Sequence, residues 1–213
     1  MKNKLTIILL ILVYLLAFAT AVYAEPLRAE TAFGTAVIDG KNTDGEWDDV
    51  PSYPIDKFKK GTRQDESFSA SFKVKFDGEN LYLFIEVRDA TVAKWSGGVK
   101  NTDDAKQDRI TVYIDYSNTG SGFYSDPFLK EYQITTNRWG DYGQYDCIPF
   151  DLDNNIELKV VEHEDNKGYT TEYKLNLAGI TKEKINADKE IGFDIQVSDM
   201  DTNSNSVRLG AYG

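Results

Sequence analysis

Residues 68–89 constrain the fold of this chain more than any other segment. Over residues 68–76, Phe, Ala and Val alternate with Ser and Lys at every second position. A period of two is typical of a β-strand with one buried and one solvated face. Asp77-Gly78 is a turn sequence, and the alternation resumes over residues 81–87. The segment therefore predicts a β-hairpin, which Arg88 and the acid Asp89 follow directly.

Similar alternation recurs along the chain between loops that contain Gly, Asn and Asp. The further segments are residues 110–114, 132–134, 156–160, 173–177 and 191–197. Together with the hairpin they predict at least seven strands, and only residues 178–187 are predicted to be helical. Short strands at this spacing, without βαβ alternation, indicate a sandwich or barrel. We predict an all-β fold, an antiparallel β-sandwich of the jelly-roll or immunoglobulin-like type, with one short helix.

The amino terminus has the pattern of a secretory signal peptide. Lys2 and Lys4 precede an apolar run, and small residues lead up to Ala24, which fits cleavage after that residue. We predict a signal peptide over residues 1–24, a linker over 25–33 and a sandwich domain over 34–213. The protein is then a secreted bacterial protein. An uncleaved membrane anchor is the alternative, because the apolar run is long enough to span a bilayer.

Charge and cysteine content limit the classes of partner. The formal net charge is −11, and removal of the two lysines in the signal peptide takes it to −13. Binding to nucleic acid or to an anionic membrane requires clustered Lys and Arg, so neither partner is predicted. An acidic surface suits neutral ligands and calcium. Cys147 is the single cysteine, which excludes an internal disulfide.

Acidic residues occur at three predicted strand ends. Asp89 closes one strand, Asp108 opens another, and Asp199 and Asp201 follow a third. Calcium takes six to eight oxygen ligands, and strand ends that meet at one edge of a sandwich could supply them. We predict a structural calcium site formed by these four residues. The alternative is that the aspartates simply occupy turns, which favour this residue type.

The three tryptophans have different predicted roles. Trp47 precedes the long strands and is predicted to pack in the core. Trp95 and Trp139 lie in loops, the latter close to Tyr142, where an exposed ring could stack on a sugar. The alternative is that these two rings cover an edge of the core. One hypothesis is therefore that Trp95, Trp139 and Tyr142 contact a carbohydrate.

Catalytic patterns are weak, and no catalytic residue is predicted. His163 is the single histidine and lies in a charged segment, where we predict a solvated side chain. It offers one candidate base with no nucleophile motif around it. A carboxylate pair for hydrolysis of O-glycosyl bonds stays open, because acids are abundant and their separation is invisible in a sequence.

The order of these segments resembles a family-9 carbohydrate-binding module, a kind of domain attached to secreted xylanases. The matching segments are residues 36–40 with Trp47, 70–74, 80–83, 87–89, 107–115 and 191–199. The resemblance implies a β-sandwich, a structural calcium and a sugar slot between two aromatic rings. Asp89 and Asp199 correspond to its calcium ligands, and Asp108 stands where the family has an acid.

The sugar contacts of the family transfer only in part. Ala105, Thr111 and Gln133 stand where the family has tryptophan, glutamate and arginine, whereas Gln196 matches a family glutamine. The second ring of the slot belongs to a segment beyond residue 213, so the domain could be truncated at its carboxyl end, and Trp95 could replace a ring. The predicted carbohydrate-binding residues are Trp95, Trp139, Tyr142, Gln133 and Gln196.

Three functional hypotheses follow from the sequence. The first is non-catalytic binding of a plant cell-wall or other oligo- or polysaccharide, with no membrane contact beyond the signal peptide. The second is the amino-terminal part or remnant of a secreted, xylanase-like glycoside hydrolase. The third is an extracellular sandwich that binds haem or a protein, with His163 and Met200 as candidate axial ligands.

Overall fold

A computed structural model describes residues 28–60, 68–91, 107–120, 131–144, 150–185, 188–200 and 206–210, the last range and 58–60 by backbone alone. Several predictions from the sequence lie outside these residues. They concern the signal peptide, residues 25–27 of the linker, Trp95, Ala105, Cys147, Asp201 and the carboxyl end. Within the described ranges, no helix has the length and apolar content needed to cross a membrane.

Twelve strands are present in the described part of the chain. They are β1 (Ala32–Phe33), β2 (Tyr53–Ile55), β3 (Lys57–Lys60), β4 (Ser69–Phe76), β5 (Asn80–Arg88), β6 (Arg109–Asp115), β7 (Glu131–Asn137), β8 (Tyr142–Gln144), β9 (Ile156–Glu162), β10 (Gly168–Asn176), β11 (Gly192–Met200) and β12 (Ser206–Gly210). A 3₁₀ turn (Thr43–Gly45) and one helix, α1 (Leu177–Thr181), complete the fold.

The strands form two six-stranded sheets. The first has the order β1-β4-β5-β10-β9, with β2 also paired to β4, and the second has the order β3-β12-β11-β6-β7-β8. The pairs are antiparallel except for β1 and β4. The predicted β-sandwich with one short helix is confirmed. Residues 32–33, at the end of the predicted linker, belong to the first sheet as β1.

Helix α1 is shorter than the predicted helix over residues 178–187. Asn176 caps it by accepting a hydrogen bond from the Gly179 N–H group at 3.0 Å. Lys182 adopts the left-handed conformation with φ of 57°, which ends the helix after Thr181. The prediction of the helix is confirmed, but its predicted carboxyl end is wrong.

The main core lies between the sheets and follows the alternation seen in the sequence. In the β4–β5 hairpin, Phe72 is in register with Ile85 and Val74 with Leu83, and all four side chains are buried. The second sheet contributes the buried residues of the inward-facing rows of β6, β7 and β11, namely Ile110, Val112, Ile114, Ile134, Ile195 and Val197. The two sheets are thus held by apolar burial, the dominant favourable contribution to folding.

A second, smaller core lies on the outer face of the first sheet. Trp47 is fully buried there against Tyr82 and Phe84, so its predicted packing role is confirmed. Glu172, on β10, is buried beneath the same segment and accepts hydrogen bonds from Trp47 Nε1 at 2.8 Å and from the Gly40 N–H group at 2.6 Å. Residues 39–47 are therefore tied to the outer face by both apolar and charged contacts.

The turn between β4 and β5 is organised by the carboxylate of Asp77. It accepts hydrogen bonds from the N–H groups of Glu79 and Asn80, from the Asn80 side chain and from the Tyr82 hydroxyl. Burial alone would raise the pKa of Asp77, but these hydrogen bonds outweigh it and lower the pKa to about 2. The charged form of Asp77 therefore stabilises the hairpin turn.

We expect the variant Asp77→Asn to lose part of the acid sensitivity of the wild type. The folded-state pKa of Asp77 is depressed, so its contribution to stability is present above about pH 4 and disappears as the pH falls to about 2. The wild type should lose more stability than the variant over this interval, as measured by urea unfolding at pH 6, 4 and 2. Glu79→Gln, which alters a neighbouring exposed acid, is the matched control. Parallel pH profiles for Asp77→Asn and the wild type would contradict the prediction.

Candidate functional site

Three aspartates from different strands converge at one end of the sandwich. Asp89 follows β5 and Asp108 precedes β6, as predicted. The sequence placed Asp199 after a strand, but it lies within β11. One carboxylate oxygen from each lies within 4.8 Å of the other two, and all three side chains are buried. Two strands of the second sheet and one of the first thus meet at this group of residues, which we call the acidic cluster.

Backbone pairing brings these residues together. Ser198 is in register with Arg109, which places Asp199 beside Asp108. The Met200 N–H group donates a hydrogen bond to Asp108 Oδ1 at 2.9 Å. In the first sheet, Asp89 N donates to the carbonyl of Lys167 at 3.3 Å, just beyond the pairing of β5 with β10.

A glycine is required where β10 begins beside Asp89. Gly168 has φ of +132°, a conformation that residues with a side chain rarely adopt. A Cβ atom at this position would overlap the carbonyl oxygen of Val87. Gly168 therefore permits the close approach of β10 to the end of β5 that positions Asp89.

Arg138 is a cation bound to the acidic cluster, and the sequence did not single it out. Its side chain is fully buried, and Nη1 donates to Asp89 Oδ2 at 2.8 Å and to Asp108 Oδ2 at 3.3 Å. On the other side, Nε and Nη2 donate to the two oxygens of Glu162 at 3.0 and 3.3 Å. The guanidinium carbon lies 5.1 Å from the centre of the Tyr169 ring, within range of a cation–π contact.

The negative charge of the acidic cluster exceeds the charge that Arg138 supplies. Burial raises the pKa of Asp108 to about 7, and the nearby charge of Asp89 acts in the same direction. The hydrogen bond from Met200 and the charge of Arg138 oppose this shift. A hard divalent cation prefers oxygen ligands and would offset the remaining charge, so the three converging carboxylates fit calcium.

A second polar surface lies on the outer face of the second sheet. Residues of β6, β7 and β11 that alternate with the core residues point away from the core. In register, Thr111 lies between Gln196 and Thr135, and Tyr113 lies between Asp194 and Gln133. These six residues form a surface that we call the polar face. Two of the predicted sugar contacts, Gln133 and Gln196, therefore lie on one surface, on either side of β6.

Hydrogen bonds connect neighbouring side chains on the polar face. The Tyr113 hydroxyl donates to Gln196 Oε1 at 3.3 Å, and the hydroxyls of Thr111 and Thr135 are hydrogen-bonded at 3.2 Å. Both threonines are buried, whereas Tyr113, Gln133 and Gln196 are half-buried. The polar face thus combines the buried hydroxyls of two threonines with the partly accessible side chains of one tyrosine and two glutamines.

The other two described candidates, Trp139 and Tyr142, lie elsewhere. Trp139 is in the turn between β7 and β8, directly after Arg138, and is 40% exposed. Tyr142 pairs with Thr136 in a core-facing row and packs against the main core, and its hydroxyl donates to Asp153 Oδ1 at 2.9 Å. Tyr142 therefore lies on the opposite side of the second sheet from the polar face, whereas Trp139 directly follows the arginine that binds two members of the acidic cluster.

His163 differs from its predicted environment. Its side chain is half-buried, and Nε2 lies 3.1 Å from the Thr170 hydroxyl. Burial lowers the pKa of His163, and the charge of Arg88 acts in the same direction. The prediction of a solvated histidine is wrong, because the β9–β10 turn folds the ring against Gly168.

The fold and these two surfaces define a β-sandwich domain with a polar outer face and an acidic cluster at one end. The chain belongs to the carbohydrate family 9 binding domain-like family, whose pattern matches residues 38–211. The match covers most of the chain and confirms the resemblance inferred from the sequence. It is a match to a binding domain and not to a catalytic domain.

Curated relatives are long enzymes of which the chain resembles a small part. It is 27% identical over 187 residues to exoglucanase XynX of Acetivibrio thermocellus, covering 87% of this chain and 15% of the relative. It is 26% identical over 182 residues to endo-1,4-beta-xylanase A of Thermotoga neapolitana, covering 85% and 15%. The chain thus spans about one seventh of the length of these relatives, whose names describe the whole enzymes.

Solved structures share the fold. A family 9 carbohydrate-binding module from Caldicellulosiruptor kristjanssonii in complex with cellotriose aligns with a TM-score of 0.67 and 20% identity, covering 87% of this chain and 84% of the other. A putative carbohydrate-binding protein from Bacteroides uniformis aligns with a TM-score of 0.59 and 11% identity, covering 87% and 88%. At these identities the comparison establishes the shared sandwich.

Proposed function

We propose that this domain binds an oligo- or polysaccharide without catalysing its hydrolysis. The observation that carries the proposal is membership of a carbohydrate-binding domain family over residues 38–211. The structural neighbours from Caldicellulosiruptor kristjanssonii are complexes with cellotriose and with glucose, which favours a glucan or another plant cell-wall glycan as the ligand.

The polar face supports this proposal by its chemistry. A sugar presents hydroxyl groups that both donate and accept hydrogen bonds, and amide side chains do the same. Gln133 and Gln196 are half-buried and lie on either side of Tyr113, whose ring adds apolar area between them. Trp139 offers a separate exposed ring, and its neighbour Arg138 ties that turn to the acidic cluster.

We also propose a structural calcium ion in the acidic cluster, held by Asp89, Asp108 and Asp199, with Asp201 as a further candidate ligand. Bound calcium supplies a double positive charge that the three buried carboxylates share. Asp89 comes from the first sheet and the other two from the second, so the ion would link the sheets at this end.

The proposed setting is extracellular, as part of carbohydrate breakdown. The hypothesis of a signal peptide cleaved after Ala24 predicts Glu25 as the first residue of the secreted protein, which amino-terminal sequencing checks. The relatives favour a second hypothesis, that the domain serves a larger glycoside hydrolase, because the matched part is 15% of each of two long enzymes. Release of reducing sugar by the purified chain would contradict the non-catalytic assignment.

We expect the variants Gln133→Ala and Gln196→Ala to bind the oligosaccharide about tenfold more weakly than the wild type, since each loses a hydrogen bond made in a partly buried site. The oligosaccharide affinity of Trp139→Ala tests whether the exposed ring of Trp139 contacts the sugar. A panel of cello-, xylo- and manno-oligosaccharides titrated by calorimetry provides the measurement, with calcium present.

The control is Glu157→Ala, which removes an exposed side chain from the outer face of the first sheet. Its affinity should equal that of the wild type. Binding by the wild type with no loss in the two glutamine variants would move the sugar site away from the polar face. A complete absence of binding across the panel, and of retardation in gels containing polysaccharides, would reject the proposed function.

A further inference from the structure

We infer that Arg138 is an internal counter-ion that competes with the metal ion for the carboxylates of the acidic cluster and thereby sets the affinity of the cluster for calcium. This inference rests on the proposed calcium site. It concerns a residue that stands outside the set of candidate metal ligands.

The first argument is the shared contacts. Nη1 of Arg138 approaches Asp89 at 2.8 Å and Asp108 at 3.3 Å, so one nitrogen is bound to two of the three candidate ligands. Carboxylate oxygens that accept hydrogen bonds from a guanidinium have fewer lone pairs available for a metal. Calcium and Arg138 therefore compete for the same carboxylate groups.

The second argument is the balance of charge. Asp89, Asp108 and Asp199 are buried together, and the single charge of Arg138 is shared between two of them and Glu162. A divalent cation would add positive charge to this group of carboxylates. In the absence of metal, Arg138 limits the repulsion among the carboxylates. A metal ion held by the same carboxylates would add a second positive charge near the guanidinium, and like charges repel.

The third argument is that Arg138 is held in place from its other side. Two of its nitrogens bind Glu162, and its guanidinium carbon lies over the Tyr169 ring. Its main-chain N–H group also donates to the carbonyl of Asp108 at 3.1 Å. These contacts prevent the guanidinium from simply turning away when a metal arrives, so the repulsion persists in the metal-bound state.

The competition gives the protein two properties that oppose each other. The metal-free domain keeps part of its stability because Arg138 supplies a positive charge to the cluster. The domain also binds calcium less tightly than it would if the same three aspartates had no arginine beside them. Extracellular modules commonly bind calcium in the weak 10⁻⁴ to 10⁻³ M range, where such a reduced affinity is sufficient.

The variants Arg138→Met and Arg138→Lys test the inference. Methionine keeps much of the length without the charge, whereas lysine keeps the charge but not the planar fork. Calcium affinity is measured by calorimetry, and melting temperature is measured in chelator and over a calcium series. Asp199→Asn, alone and combined with Arg138→Met, is the matched control that locates the binding.

We expect Arg138→Met to melt below the wild type in chelator and to bind calcium about tenfold more tightly or better, because the repulsion is removed. The rise in melting temperature caused by calcium should be larger in this variant. Arg138→Lys should remain within a few-fold of the wild-type affinity. If Arg138→Met folds only with calcium, its refolding midpoint in calcium replaces the chelator measurement and supports the inference.

Unchanged or weaker calcium binding by Arg138→Met would overturn the inference and make Arg138 a residue that positions the carboxylates. Absence of calcium binding in the wild type and in both Arg138 variants would reject the inference together with the calcium site. Glycan binding is measured independently, so that result would leave the proposed carbohydrate-binding function standing. Calcium binding by Arg138→Met alone would support the inference, since Arg138 would then replace the metal in the wild type.

Discussion

Replacement of Trp47 by alanine is expected to lower the free energy of unfolding by about 4 kcal/mol, the usual cost of removing a large buried aromatic side chain. Trp47 is fully buried, its ring centre lies 5.5 Å from that of Phe84, and the Lys75 ammonium lies 5.0 Å from its ring. The change leaves a cavity on the outer face of the first sheet. It also removes the indole donor from Glu172, whose carboxylate is buried. Urea unfolding at pH 7 provides the measurement.

Two further variants separate the apolar and polar parts of this effect. Trp47→Phe keeps most of the ring but removes the N–H donor, so we expect a loss of about 1–3 kcal/mol. Trp139→Ala truncates a tryptophan that is 40% exposed and should cost well under half as much as Trp47→Ala. Equal losses for Trp47→Ala and Trp139→Ala would show that residues 39–47 do not form a core on the outer face.

Chelation of calcium is expected to have the second large effect. If the ion binds only the folded state, a free calcium concentration about one hundred times the dissociation constant stabilises the domain by about 2.7 kcal/mol, which chelation removes. The reason is that the carboxylates of Asp89, Asp108 and Asp199 are buried close together, so they repel one another more strongly once the divalent cation is removed. Thermal unfolding in chelator and over a calcium series provides the measurement.

Asp199→Asn is the matched variant for this prediction, because it removes one candidate ligand while nearly preserving side-chain volume. Its melting temperature should respond much less to calcium than that of the wild type. Magnesium at equal concentration is a second control, since it is smaller and demands a stricter octahedral geometry. A wild-type melting temperature that is independent of calcium would contradict the structural role of the ion.

The sequence predicted the parts of the fold that depend on local patterns. The hairpin over residues 68–89 was predicted because its alternation of apolar and polar side chains specifies both the strands and the face that each residue takes. The acids at strand ends were found for a related reason. Asp89, Asp108 and Asp199 were grouped, together with Asp201, because each stands at or near a predicted strand end and because the chain resembles a family-9 module. The structure brings the first three together, although Asp199 lies within β11.

Other parts required the structure because they depend on contacts between distant segments. Arg138 occurs in a loop sequence that contains several polar residues, and nothing local distinguishes an arginine that reaches a buried carboxylate from one in solvent. Glu172 occupies an outward position in β10, where a solvated acid is the normal expectation. Only the crossing of residues 39–47 over that face buries it and supplies its donors.

The sequence by itself determined the class of fold and the strand pairing of the central hairpin, and it indicated the acids near strand ends as candidates. Each of these follows from periodicity and turn sequences, which are properties of short segments. Tertiary structure decided which cation lies among the acids and that Tyr142 faces the core while Gln133 and Gln196 share a surface. The physical reason is that burial, charge pairing and the face of a sheet depend on residues far apart in the chain, whose approach no local pattern records.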